Sequence, residues 1–137
     1  MRQKISLLSV VGLLGSVAYA EAQTTGGRYD GAYEPLSAKK ISDTFVTRQG
    51  VTGFCPDVTP RPLTIRNNRV DYTSASGRHF QGTVNSQGQL LIKGIEQPNT
   101  EGKVFRMNVT GTVDGAGTAH VRQLGNSCSY DFMFRKQ

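Results

Sequence analysis

A short phrase used twice limits what this chain can fold into more than any other feature. Gly82-Thr83-Val84-Asn85-Ser86-Gln87-Gly88 returns as Gly111-Thr112-Val113-Asp114-Gly115-Ala116-Gly117. In each copy a β-prone run meets Asn or Asp and ends on glycine two or three residues later. Asn and Asp side chains accept hydrogen bonds from backbone just ahead of them, and glycine supplies positive φ. Each copy therefore predicts a tight hairpin.

The first turn, Ser86-Gln87-Gly88, pairs Val84 with Leu90 and Gly82 with Ile92, and places Phe80 opposite Gly94. The second, Gly115-Ala116-Gly117, pairs Val113 with Ala119 and Gly111 with Val121. A third hairpin precedes them: Leu63-Thr64-Ile65-Arg66 and Arg69-Val70-Asp71-Tyr72 flank Asn67-Asn68. Its register pairs Arg66 with Arg69, Ile65 with Val70, Thr64 with Asp71 and Leu63 with Tyr72. The large apolar residues fall on one face in these registers, apart from Leu91, which faces out. A one-residue slip would reverse every face, so this agreement supports the pairing.

Elsewhere, Tyr29-Asp30-Gly31-Ala32-Tyr33 suits a first strand that Pro35 bends or ends. Residues 36–54 read two ways. Leu36, Lys39, Lys40 and Asp43 suit a short helix, whereas Thr44-Phe45-Val46-Thr47 favours a strand. Gly50, Gly53, Cys55-Pro56 and Pro60 mark a long loop over 48–61, and 96–102 is a polar loop. Phe105, Met107 and Val109 alternate with Arg106, Asn108 and Thr110. In the last strand Cys128, Tyr130, Phe132 and Phe134 face in, while Ser129, Asp131 and Arg135 face out.

These segments add up to an all-β domain: a small antiparallel up-and-down barrel of about eight strands, a lipocalin- or avidin-like meander closing its last strand on its first. An open sandwich is the rival. Eight strands enclose a space that side chains fill or that holds one small ligand. The inward aromatics Tyr29, Tyr33, Tyr72, Phe80, Phe105, Tyr130, Phe132 and Phe134 argue for a filled interior. Outward Thr, Asn, Gln, Arg and Asp argue against a membrane-spanning barrel, whose outer face carries an apolar band.

The N-terminus has the order of an export signal. Arg2 and Lys4 precede a mostly apolar stretch over 5–14, then Ala18-Tyr19-Ala20 and Ala20-Glu21-Ala22 offer two cleavage sites. The apolar stretch falls short of the roughly 20 residues that span a bilayer, which disfavours a retained anchor. A signal peptide over 1–22 leaves a single barrel domain over 23–137, placed in the periplasm or outside the cell. Two cysteines in an exported chain predict one disulfide, Cys55 to Cys128. With them, His79 and His120 have no metal-motif spacing, so neither a metal nor another cofactor is expected.

No catalytic set stands out, and an enzyme is not expected. His79 and His120 face outward by the alternation. Asp30, Asp71, Asp114 and Asp131 sit on strands or turns, Asp114 suits a turn, and Asp131 is placed to pair with an outward arginine. Arg66 and Arg69 are the candidate contacts for an anion or an acidic partner. Like charges directly opposite are mildly unfavourable, and a bound anion would relieve them. Two solvated side chains splaying apart is the alternative. The net charge of +6 is scattered, which gives little support to nucleic-acid binding. A monomer is expected.

Several of these motifs together carry a likeness. Tyr29-Asp30-Gly31-Ala32-Tyr33 after a signal-like start, Cys55-Pro56, Pro62-Leu63-Thr64-Ile65-Arg66-Asn67-Asn68, Phe80-Gln81-Gly82-Thr83-Val84 and Cys128-Ser129-Tyr130-Asp131-Phe132 resemble small exported barrel proteins of Gram-negative bacteria, which are largely uncharacterised. More loosely, the layout is similar to periplasmic barrel inhibitors of proteases and lysozymes. The likeness implies an exported barrel with one disulfide and transfers no functional residue. The expected function is a non-enzymatic binding module for an unknown protein or anionic surface ligand, with loops 48–61 and 95–103 as contact surfaces. Inhibition of a secreted hydrolase, or carriage of a small molecule inside the barrel, are the alternatives.

Overall fold

A computed structural model of the chain describes residues 27–98 and 104–137, without the side chains of Gln97, Pro98 and Phe105. The expected signal peptide, the far part of the 96–102 loop and the inward placing of Phe105 lie outside the described residues.

Among the described residues eleven strands form: β1 Gly31–Lys40, β2 Thr44–Val46, β3 Thr52–Phe54, β4 Leu63–Arg66, β5 Arg69–Thr73, β6 His79–Val84, β7 Gln89–Ile92, β8 Ile95–Pro98, β9 Val104–Val113, β10 Thr118–Gly125 and β11 Ser129–Lys136. Eight of them close an antiparallel barrel in the order β1-β4-β5-β6-β7-β9-β10-β11, with β11 pairing back onto β1. The meander is up-and-down, and closure gives each of the eight strands a partner on both sides over part of its length.

The hairpin registers are those the alternation predicts. Thr64, Ile65 and Arg66 face Asp71, Val70 and Arg69. Gly82 and Val84 face Ile92 and Leu90. Gly111 and Val113 face Val121 and Ala119. Asn67 and Asn68 both take positive φ, 50° and 61°, as the two-residue turn requires. The Phe80–Gly94 pair does not form, because β7 stops at Ile92. The chain breaks at Lys93-Gly94 and resumes as β8, which pairs with the start of β9 and replaces part of the expected loop.

Pro35 neither bends the first strand out of the sheet nor ends it. The Gln137 N–H donates to the Ala32 carbonyl on the β11 side, so alternation turns the missing N–H of Pro35 towards β4. There the β1–β4 register has already ended at Tyr33 and Leu63. Past Pro35 a bulge shifts the β1–β11 register, and the pairing continues to Lys40 and Tyr130. Within 36–54, β1 runs on to Lys40 and the helical alternative is absent. β2 and β3 then pair only with each other, so the expected 48–61 loop begins as the second half of a small hairpin.

The interior is packed with side chains. Tyr33, Tyr72, Phe80, Phe132 and Phe134 are buried among Leu63, Ile65, Val70, Val109 and Val121. Tyr130, Phe132 and Phe134 follow one another along the inward face of β11, with successive ring centroids 5.8 and 6.4 Å apart. Tyr29 plugs the end of the barrel that carries the three tight turns. Its hydroxyl donates to the Ser86 carbonyl at 3.3 Å, and the Tyr33 hydroxyl donates to the Tyr29 carbonyl at 2.6 Å.

Candidate functional site

The two ends of the barrel differ in chemistry. One, the turn end, carries the Asn67-Asn68 turn, both copies of the repeated phrase and the C-terminus. The other, the disulfide end, carries Cys55–Cys128 and the β2–β3 hairpin.

Cys55 and Cys128 are bonded, with Cα atoms 5.5 Å apart at a sequence separation of 73. The bond ties the foot of β3 to the start of β11. Lys40 reinforces the same foot. Its ammonium lies 3.1 Å from Asp57 and 3.7 Å from Asp43, and donates to the Cys55 carbonyl at 3.4 Å. The hydrogen bond to Asp57 is the largest influence raising the Lys40 pKa, and the charges of both acids add to it. The Cys55 N–H donates to the Asp43 carbonyl at 2.8 Å, and the Tyr130 hydroxyl to the Pro56 carbonyl at 2.9 Å.

Beyond this foot the hairpin stands away from the barrel as an arm. Phe45 packs across it on Gly53. The register puts Val46 and Phe54 on the opposite face, where they are 68% and 79% exposed. Val51, Ile41 and Leu36 are also exposed close by in sequence. Arg48 sits in the Thr47–Gly50 turn, which is closed by a Gly50 N–H to Thr47 carbonyl bond of 2.9 Å. Both outer edges of the hairpin lack a strand partner among the described residues. A loop reading of 48–61 concealed this arm. The β-prone Thr44-Phe45-Val46 was the available signal for its first half, and Gly50 for its turn.

Arg66 and Arg69 lie opposite each other and are exposed, as the register predicts. Neither forms an ion pair or side-chain hydrogen bond among the described residues. Asp30 pins the turn between them, accepting from the Asn67 N–H at 2.7 Å and the Asn68 N–H at 3.2 Å. Burial opposes its ionisation, but the N–H donors of Asn67, Asn68 and Gly27 outweigh that and hold its pKa below the ordinary value.

The two copies of the phrase fold alike. Asn85 Oδ1 accepts from the N–H groups of Gln87 and Gln89 at 3.0 and 2.9 Å, and Asp114 Oδ1 from those of Ala116 and Thr118, both at 2.9 Å. The turns lie side by side, joined by a Val113 N–H to Gly88 carbonyl bond of 2.7 Å. Between them opens a cleft of about 460 Å³ whose lining includes Arg28, Tyr29, Ser86, Gln87 and Asp114. Arg28 lies over the Tyr29 ring, 5.4 Å from its centroid. Spacing and periodicity gave no signal for Arg28, which precedes the first strand.

Asp131 pairs with Arg122 on the neighbouring strand, as its outward position suggested, through contacts of 2.8 and 3.0 Å. That hydrogen bond is the largest influence lowering the Asp131 pKa. His120 is exposed. So is His79, whose Nε2 lies 3.3 Å from Asp71 and whose Nδ1 lies 3.2 Å from the Thr73 hydroxyl. A hydroxyl, an imidazole and a carboxylate in a row is the order of a nucleophilic triad. Here it lies on the open outer face of β5 and β6, with His79 and Asp71 each about half exposed to water. Among the described residues no three His, Cys, Asp or Glu side chains gather as a metal site, and no helix is long and apolar enough to cross a membrane.

No protein-family model, curated protein or solved structure matches the chain.

Proposed function

We propose that the protein is a non-enzymatic binding module of the periplasm or cell exterior that recognises a partner protein through the β2–β3 arm. The observation that carries this reading is Phe54, which is 79% exposed on a hairpin whose foot is fixed by a disulfide and by Lys40. An exposed apolar group costs solubility, and clusters of them commonly mark contact sites. The free edges of β2 and β3 offer backbone groups for strand addition. A clamped hairpin also loses little conformational entropy on docking.

The disulfide fits an oxidising compartment, and the N-terminal pattern and the resemblance to exported barrels support export. The filled interior favours recognition at the surface over carriage inside. The outer-face row Arg66, Arg69, Thr83, Leu91, Thr110 and Arg122 has a single apolar member, which favours water over lipid around the barrel. The Thr73–His79–Asp71 row lacks a wall to exclude water or position a substrate, which weighs against catalysis.

Cross-linking of the protein in the exported fraction of its own host tests the reading. Wild type gives a discrete cross-linked species, and Phe54→Asp loses it while melting at an unchanged temperature. A species that survives Phe54→Asp, or none with wild type, contradicts it.

Arg48 at the tip of the clamped arm favours a second reading, inhibition of a secreted hydrolase whose cleft admits the tip. A protease and lysozyme panel at stoichiometric excess tests it, and it fails if no enzyme slows.

A further inference from the structure

The turn end of the barrel carries a separate site. We propose that the cleft between the two copies of the repeated phrase binds a carboxylated saccharide, with Arg28 as the anion anchor.

Arg28 is exposed, yet it is held in place. Its guanidinium lies over the Tyr29 ring, and Tyr29 is itself buried and tied to Ser86. On the other side Nη2 approaches Gly115 so closely that a Cβ there would stand 2.7 Å away. An arginine so confined has little rotamer freedom left to lose on binding. Its guanidinium forms no ion pair or hydrogen bond among the described residues. A planar fork of N–H donors without an acceptor matches a carboxylate, which takes two parallel hydrogen bonds.

The nearby acids keep their charges but form no ion pair or hydrogen bond with it among the described residues. Asp114 Oδ1 accepts from Ala116 and Thr118, and both Asp30 oxygens accept from Asn67 and Asn68. Asp114 Oδ1 and both Asp30 oxygens are turned to the hairpin turns, so the Arg28 fork receives no acceptor from them. Ser86, Gln87, Thr112, Thr118 and His120 also line the cleft, together with the Asp114 carboxylate. Hydroxyls, an amide and an imidazole both donate and accept hydrogen bonds, as a ring of sugar hydroxyls requires. A volume of about 460 Å³ lies within the range of small-ligand sites. The site stands apart from the arm, so neither proposal depends on the other.

NMR titration of the folded protein with D-galacturonate, D-galactose and polygalacturonate tests the site. Galacturonate shifts the amides of Ser86, Gln87, Gly115 and Ala116, and galactose binds at least about tenfold more weakly, a difference of about 1.4 kcal/mol. Arg28→Ala weakens galacturonate by about tenfold or more, and Arg28→Lys, which keeps the charge but loses the fork, also weakens it. Gly115→Ala weakens it with no change of charge, because the added methyl displaces the guanidinium. Arg48→Ala, at the far end, leaves affinity unchanged. Binding of the polymer tighter than its sugar units separately points to a polysaccharide, and equal binding per unit to a free uronate. The proposal is overturned if galactose and galacturonate bind alike, if neither shifts those amides, or if Arg48→Ala weakens binding as much as Arg28→Ala.

Discussion

The Tyr72 hydroxyl donates to Gln123 Oε1 at 2.8 Å inside the barrel, across 51 residues of sequence. Both residues are buried. A buried polar atom that loses its partner carries the full cost of desolvation, whereas replacing both partners by apolar groups is nearly neutral. Gln123→Leu should therefore destabilise the fold by about 1–3 kcal/mol, and Tyr72→Phe with Gln123→Leu by less than the sum of the single changes. Urea unfolding of the four proteins in the cycle measures this. Additive effects would mean that the pair does not form.

The same tyrosine sets a limit at high pH. Burial raises the pKa of Tyr72 far above the ordinary tyrosine value. Burial also raises Tyr33, with the Asp114 and Asp30 charges adding to it, and raises Tyr130 despite the opposing Lys40 charge. In the unfolded chain these groups lose protons near pH 10 while the folded state keeps them. Their contribution is intact below about pH 10 and falls as pH climbs towards the folded values, by up to about 1.4 kcal/mol per pH unit for Tyr72. Denaturation midpoints at pH 9, 10 and 11 should decline, and less steeply in Tyr72→Phe.

Gly88 and Gly50 offer a matched comparison. Both have positive φ, 79° and 77°. A Cβ at Gly88 would run into the Val113 carbonyl oxygen, while nothing lies within 4 Å of one at Gly50. Gly50→Ala should cost about 1 kcal/mol from backbone strain alone, and Gly88→Ala about 2–3 kcal/mol because the neighbouring copy of the phrase must also move. Thermal melts of the two variants check the order.

Reducing Cys55–Cys128 removes a link across 73 residues. Loop-closure entropy sets an upper value of about 4.4 kcal/mol, and the expected loss is the typical value of about 2–4 kcal/mol. The arm loses part of its foot at the same time, so limited proteolysis should cut within 44–54 before it cuts the barrel strands. Early cleavage elsewhere would mean that the bond serves the barrel alone.

How much was legible in the sequence depended on how local the signal was. Asn67-Asn68 and the two phrases encode their turns within a few residues, and each register follows from its turn. Gln123 was not read from the sequence, although the alternation through Ala119 and Val121 continues to it. Pro35 could be placed only once β11 was known to run along one edge and β4 to stop short on the other. The β2–β3 arm was obscured because three-residue strands around Gly50 and Gly53 look like loop. At the cleft, Arg28 depends on contacts with Tyr29 and Gly115, which come from the two ends of the described chain and have no shared local pattern.

Eight strands close into a barrel with a filled interior, which leaves its two ends as the proposed places of recognition. Isotope-edited NOESY spectra of the folded protein test it most directly. The account predicts cross-strand contacts between Ala38 and Phe132 and between Lys40 and Tyr130, the pairs that join β1 to β11, together with interior contacts from Tyr72 to Gln123. Absence of the β1–β11 contacts would mean an open sheet with Phe132 and Phe134 uncovered, and would contradict the account.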